Sequence, residues 1–483
     1  MTTPAWPQLQ HGAQPYGYGP SRNVRPSLAA DTGQQGAGML AALIWVPAVS
    51  VAIIAMLLHQ PALLVLALVS AMLVHTLFRP IAAIYILLLS VPLEWMFAVL
   101  PGTSELAKPL GIFALLISLP RIMTAAVPTR WDRSGRYIVL LILWALLGTA
   151  WARYPSETAI AASSMALRWG LAVLICVHLV DKRSLRIGII IFALACVTSA
   201  VVFLSRSDVR SVVDQGSRLA GTSIVGEGGG GNVNEFSRMY GIAIFAFLVT
   251  IIQNRKFTLR LICVGSIMIL CLCLLILKTR SVWMGLPITF VLAMLMLGGA
   301  GVSKRILLLG VTAIIGGVLA LLILKLGLLG HGIVNRFEST FSEGTAAGGR
   351  SDFWMKHLEA FVDTAMVGTG LGQMMLRDDA FHRIAHNNWF GIAGELGIIG
   401  LILFTAFTVS VYQRIRRMQD VWPKLFCLLC FIFMLIVGQT SNDYVLKWNA
   451  IAVGFMLATI RIEEQERTTG TNPFVWQGGV PRR

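Results

Sequence analysis

Hydrophobic residues in this chain run in unbroken blocks. They neither alternate with polar ones nor keep to a single helical stripe. The blocks cover approximately 39–58, 61–78, 81–100, 106–123, 137–152, 159–180, 187–205, 235–253, 259–277, 282–300, 305–329, 387–412, 424–439 and 447–461. Most approach the ~20 residues that an α-helix needs to cross the hydrocarbon core of a bilayer. An outer-membrane barrel would alternate apolar and polar positions over ~10 residues, and these blocks do not. The pattern predicts an all-α fold, a polytopic helical bundle with 12–14 transmembrane helices. The third and fourth blocks are the weakest. Pro92, Glu94, Pro101, Lys108 and Pro109 interrupt them, and one of the pair is a candidate re-entrant segment.

Composition agrees with the pattern. The chain is 56% hydrophobic and 13% charged, with mean hydropathy +0.75, where a soluble domain carries roughly 25% charged residues. The net charge of +16 therefore reads as basic loops and contact with anionic lipid, not as nucleic-acid binding. Basic connections fall at 121–136, 182–186, 255–260, 304–305 and 414–424, and they alternate with the other loops. The positive-inside tendency places them in the cytoplasm, together with both termini. Residues 1–38, polar and rich in Gly, Pro, Gln and Tyr, are expected to be a disordered cytoplasmic tail. The membrane domain is expected over 39–461 and a C-terminal cytoplasmic tail over 462–483. The opposite face holds two long loops, 205–234 and 330–386, and long loops in compact bundles are usually functional or disordered. The second contains helix-compatible sequence at Asp352–Met366. All seven cysteines lie within apolar blocks, so no disulfide framework is expected, and Cys427-x-x-Cys430 reads as a packing pair.

Candidate chemistry concentrates between Gly349 and Phe404. This polar stretch carries His357, His382 and His386 and a Gly-rich turn at Gly368, Gly370 and Gly372, then re-enters the membrane beside His386–Asn387. An imidazole at that boundary can accept a hydroxyl proton near neutral pH. The bland reading makes Asn387 or Asn388 a helix N-cap and Trp389 an interfacial anchor. His382 and His386 are four apart, but no third ligand stands at diagnostic spacing, and no metal or cofactor is assigned. Arg280 sits between two apolar blocks, where a guanidinium needs a partner or an anion. Arg218, Arg336 and Arg350 fall on the same side of the expected topology. Arginines on that side, against the positive-inside tendency, suggest an anionic substrate held by bidentate contacts. Gly226–Asn234 lacks the Lys-Ser/Thr of a nucleotide P-loop. Glu94, Arg168 and Asp443 are charges in or beside apolar blocks, functional candidates or partners of one another.

The ordered set resembles the O-antigen ligase and polysaccharide polymerase superfamily. Its signature is His, then Asn, Ser or Gln, nine residues, Gly, two residues and Gly, Thr or Tyr. His386–Asn387, Gly397 and Gly400 satisfy it. Arg350, Trp354, Phe361 and Gly368–Gly372 resemble the approach to that histidine, Gly231–Glu235 its Asn-Pro-Asn-Glu turn, and Thr279–Ser281 its Ser-Arg step. Val233 replaces the usual proline, and Ala365–Val367 lacks the common proline before the Gly turn.

The resemblance implies an inverting, metal-independent glycosyltransferase of the bacterial inner membrane, working on the periplasmic face without a cofactor. The donor is a glycan on undecaprenyl diphosphate. The acceptor is lipid A–core for a ligase or a lipid-linked glycan for a polymerase. His386 then deprotonates the acceptor hydroxyl, Arg218 and Arg280 hold the pyrophosphate, and Arg350 and Asn387 support substrate binding. Two other classes compete: a flippase or transporter of lipid-linked oligosaccharide, and a non-catalytic subunit working with polysaccharide-export proteins. A transporter would favour internal repeats, and none is evident.

Overall fold

The computed structural model describes residues 76–77, 79–97, 107–123, 133–205, 233–277, 279–297, 351–375, 385–440 and 443–468. The chain divides into two compact units, Met1–Phe78 and Arg79–Arg483, and the helices described here lie in the second. The expected tail at 1–38, the blocks at 39–58, 61–78 (except 76–77) and 305–329, Arg218, Arg336, Arg350 and His382 fall outside the described residues.

Within the second unit the chain is an all-α polytopic membrane protein. Twelve helices follow one another among the described residues. They are α1 (Pro80–Phe97), α2 (Ala107–Met123), α3 (Arg133–Leu147), α4 (Pro155–His178), α5 (Lys182–Ser205), α6 (Val233–Gln253), α7 (Phe257–Leu277), α8 (Arg280–Met296), α9 (Ser351–Asp363), α10 (Asn388–Arg417), α11 (Val421–Val437) and α12 (Lys447–Thr468). Six described segments are long and apolar enough to span a membrane, and four shorter apolar helices accompany them. The two weak blocks fold as continuous helices, α1 and α2, with Pro92 inside α1 and Pro120 inside α2. Packing against α5 and α4 holds them in place.

Neighbouring helices pair closely: α12 on α4, α10 on α3, α1 on α5, α6 on α7 and α8 on α11. α11 and α12 form the centre, where Leu425, Cys427, Cys430, Phe433, Trp448, Phe455 and Met456 are almost fully buried. The Cys-x-x-Cys pair is thus packing, with both thiols unbridged. Edge-to-face contacts of Phe433 with Phe245 and of Phe192 with Phe455 tie α6 and α5 to this centre.

One end of the bundle is an ionic lattice. Arg414 of α10 pairs with Glu464, its Nη2 lying 2.6 Å from Oε2. Glu463 accepts from the Gln419 N–H at 2.7 Å and from Arg467 at 2.9 Å. Lys182 pairs with Glu466 at 3.0 Å. These contacts carry α12 past Arg461, the expected end of the span, to Thr468. At the start of α5 the Asp181 carboxylate accepts from the N–H groups of Arg183 and Ser184, an N-terminal cap.

Asp420, in the turn before α11, shares this lattice. Burial, then the charge of Glu463, pushes its carboxyl up to about 6. The folded chain keeps this proton to higher pH than the unfolded chain, so stability falls as pH rises from 3.8 to about 6. Asp420→Asn is expected to remove that slope and to raise the thermal midpoint at neutral pH. Unfolding of detergent-solubilised protein across pH 4–7 checks it, and an unchanged slope in the variant rejects it.

Candidate active site

The site is built on a break in α10. Gly397 has φ 66° and ψ −162°, which divides α10 into a short first half ending at Leu396 and a long second half. Such a break at membrane depth strips backbone groups of their helical partners, and hydrocarbon offers no replacement. Here the segment after α9 supplies them. Thr369 N–H donates to the Gly394 carbonyl at 3.0 Å, and Gly370 N–H to the Glu395 carbonyl at 2.9 Å. The Met366 carbonyl accepts from Ile398 N–H at 2.8 Å. The Leu396 carbonyl accepts from the Trp144 indole of α3 at 2.7 Å.

This fit requires glycine on both sides. Gly368, Gly370 and Gly372 have φ values of 92°, 98° and 82°, a conformation that other residues adopt only with strain. A Cβ on Gly368 would stand 2.5 Å from Gly397 N, and a Cβ on Gly397 would stand 2.2 Å from the Val367 carbonyl oxygen. Ala365 and Met366 are also left-handed, at φ 50° and 65°. Proline, fixed near φ −65°, cannot occupy either position in this turn, and at Val367 it would lose the N–H bond to the Thr364 carbonyl at 3.1 Å. Val233, by contrast, is the first residue of α6, a place where proline would be tolerated.

The Gly-rich turn is anchored on its far side too. Gln373, buried, exchanges hydrogen bonds with the Tyr154 backbone at 2.9 and 3.0 Å and donates to Thr158 Oγ1 at 2.9 Å. Trp151 Nε1 donates to the Gly368 carbonyl at 3.0 Å. Glu395, buried inside α10, accepts from Tyr444 Oη at 2.9 Å and from the N–H groups of Gly372 and Met374. Sequence reasoning passed over Glu395. A carboxylate in an apolar block, two residues before Gly397, was the available signal. Gln373 and Tyr444 gave no such signal, since their partners are distant in the chain.

His386 lies at the mouth of this assembly. It is half-buried, its φ is 50°, and it directly precedes Asn387, the residue before the helix. Left-handed non-glycine residues of this kind cluster at functional sites. Its neighbours are fixed on both sides. The Ala385 carbonyl accepts from Trp354 Nε1 at 2.9 Å, and Trp354 stacks on Phe390. Asn387 caps α10: its Oδ1 accepts from the N–H groups of Trp389 at 2.9 Å and Phe390 at 3.4 Å. Its Nδ2 reaches the Gln439 side chain at 3.3 Å. Of the two cap residues considered, Asn387 takes the role, while Asn388 Oδ1 accepts from Tyr444 N–H at 3.4 Å.

His357 faces inward from α9 against Gly394. Its Nδ1 lies 2.9 Å from the Phe353 carbonyl, which fixes the proton on Nδ1. Burial pushes the imidazole below its ordinary value. His357 is thus a packing residue of the α9–α10 interface.

The turn at 443–447 joins this half of the site to the other sequence-predicted residues. Lys447 pairs with Glu94, and its N–H donates to Glu235 at 2.8 Å. Arg168 donates to the Val445 carbonyl, and Trp169 Nε1 to the Tyr444 carbonyl at 3.0 Å. Glu94 and Arg168 are therefore tied to the same turn, not to each other. Ser237 and Thr279 hydroxyls meet at 2.9 Å and bring the start of α6 to the start of α8, whose first residue is Arg280. Buried Arg238 lies over the Trp448 ring at 5.8 Å.

The fold and this site define a membrane-embedded helical protein whose polar residues gather round a broken helix at one end. Residues 265–405, from within α7 through α8 and α9 to the second half of α10, match the family model described as O-antigen ligase. Over this stretch, less than a third of the chain, the protein is similar to the O-antigen ligase family. No curated protein matches the chain.

The break supplies a direct test. Gly397→Ala adds about 1–3 kcal/mol for a positive-φ extended backbone that is essentially confined to glycine and a carbonyl overlap at 2.2 Å. A fall of several degrees in thermal midpoint is expected. Gly170→Ala on α4, where an added Cβ meets nothing within 4 Å, is expected to leave the midpoint unchanged or raise it. Equal midpoints for Gly397→Ala and the parent chain reject the account of the break.

Proposed function

We propose that the protein transfers a glycan from undecaprenyl diphosphate to an acceptor hydroxyl, as an O-antigen ligase or polysaccharide polymerase of the bacterial inner membrane. What carries this reading is the placement of His386. The half-buried imidazole sits at the start of the broken helix, with its backbone held from Trp354 on one side and the Asn387 cap on the other, within the segment that matches the ligase family. A general base needs such fixed placement within hydrogen-bond reach of the proton it removes.

In this mechanism His386 takes the proton of the acceptor hydroxyl. The hydroxyl oxygen attacks the anomeric carbon of the donor sugar from the face opposite the carrier. The carbon–oxygen bond to the diphosphate breaks, and the carrier leaves with the electron pair, so the configuration inverts. Arg280, at the first position of α8, together with Arg218 and Arg350, neutralises the departing diphosphate. Asn387 orients the histidine through the cap. The positive-inside tendency of the basic loops supports a periplasmic site and cytoplasmic termini in this reading.

His386→Ala, produced and inserted at normal level in the native host, is expected to abolish long-chain surface polysaccharide. Single repeat units still attached to the core would identify a polymerase. Bare core with accumulated lipid-linked chains would identify a ligase. Unchanged polymer in a well-expressed His386→Ala strain sinks the proposal.

A further inference from the structure

α9 divides into three faces rather than two. Phe353, His357 and Ala360 are buried against α10. Asp352, Glu359 and Asp363 form an exposed acidic strip. Between strip and core lies a third arc, Met355, Leu358 and Val362, with exposures of 55%, 39% and 64%. At 3.6 residues per turn these three side chains fall within roughly 60°. A helix with core, water and bare apolar faces is the pattern of an element lying flat in a membrane interface.

The surroundings say what covers the bare face. The segment after α9 continues it with exposed Met366 and Val367. The Met366 carbonyl is bonded to Ile398 of α10, and Ile398, Ile399 and Ile402 are exposed in turn. These isoleucines stand on a membrane-spanning helix, so the apolar surface of α9 is continuous with a lipid-facing one. The height agrees. Gly397 is 17 residues from Arg414 in the ionic lattice, about 26 Å of helix, against ~30 Å of hydrocarbon. α9 docks on α10 at Phe390 and Gly394, on the far side of the break, and therefore at the opposite edge of the hydrocarbon.

We infer that α9 is an interfacial helix that lays Met355, Leu358 and Val362 into the lipid leaflet at the active-site end, with the acidic strip toward water. Because Trp354 of α9 holds Ala385, the depth of this helix sets the height of His386. The partner of this surface is the bilayer itself, and the inference stands whether or not His386 is the base.

Nitroxide labels on cysteines placed at Leu358, Val362 and Glu359 of the full chain, in phosphatidylethanolamine/phosphatidylglycerol vesicles, test it. The unsubstituted chain serves as the blank for its own cysteines. Labels at 358 and 362 are expected to respond mainly to oxygen, and the label at 359 mainly to a water-soluble nickel chelate. Nickel accessibility at 358 and 362 equal to that at 359 would place the face in water. Shielding of 358 and 362 from both reagents would mean that protein covers it. Either result overturns the inference.

Discussion

The hydrogen bonds that close the break in α10 are the constraint on which the active-site end depends. An interrupted helix inside a membrane leaves N–H and C=O groups with no water to take them, and each such group costs several kcal/mol if unpaired. The chain meets this with a second irregular segment of its own. Thr369, Gly370 and Met366 pair with α10 on either side of Gly397, and Trp144 completes the set from α3. Backbone must lie against backbone for this to work, which is why Gly368 and Gly397 face each other at distances that no Cβ permits. The two glycine motifs, about 30 residues apart in sequence, are one structure.

Once the break is closed, other placements follow. The first half of α10 meets the 438–444 region at both ends, through Asn388 at one end and Glu395 at the other. It is thereby held against the termini of α11 and α12. α9 is carried along, because the segment that fills the break begins where α9 ends. Trp354 then reaches Ala385, and Asn387 reaches Gln439. His386 is left between two residues whose backbones are fixed, in a left-handed conformation that the surroundings hold.

The sequence made some of this legible and hid the rest for identifiable reasons. Uncharged blocks near the spanning length announced the helices, and His386–Asn387 with Gly397 and Gly400 marked where chemistry should be sought. Hydropathy carries no record of which helix packs on which when the blocks are apolar on every side. The pairing of α10 with α3, or of α1 with α5, could not be read from it. The extra turns of α12 were hidden because a charged sequence reads as a tail until its partners on α10 and α5 are known. Glu94 and Arg168 looked like candidates for each other, yet both serve the 443–447 turn. The role of Glu395 rests on Tyr444 and on the N–H groups of Gly372 and Met374, and proximity of that kind exists only in the fold.

The cap on α10 also divides the labour at the site. Half-helices broken within membranes often present their N-terminal amides, and the positive end of their dipole, to anionic substrates. In this chain the Asn387 side chain already occupies the Trp389 and Phe390 N–H groups. Two of the donors that would cradle an anion are spent internally, on fixing the residue next to His386. The positive end of the helix dipole remains, but its strongest hydrogen bonds do not. An anion at this end of the helix would therefore draw on cations from elsewhere in the chain, and in the proposed reading one of these is Arg280 at the start of α8. There Arg280 follows Thr279, whose hydroxyl is tied to Ser237 at the start of α6. Using one asparagine as a cap thus commits the start of the broken helix to positioning its neighbour, and leaves anion binding there to groups other than these two amides.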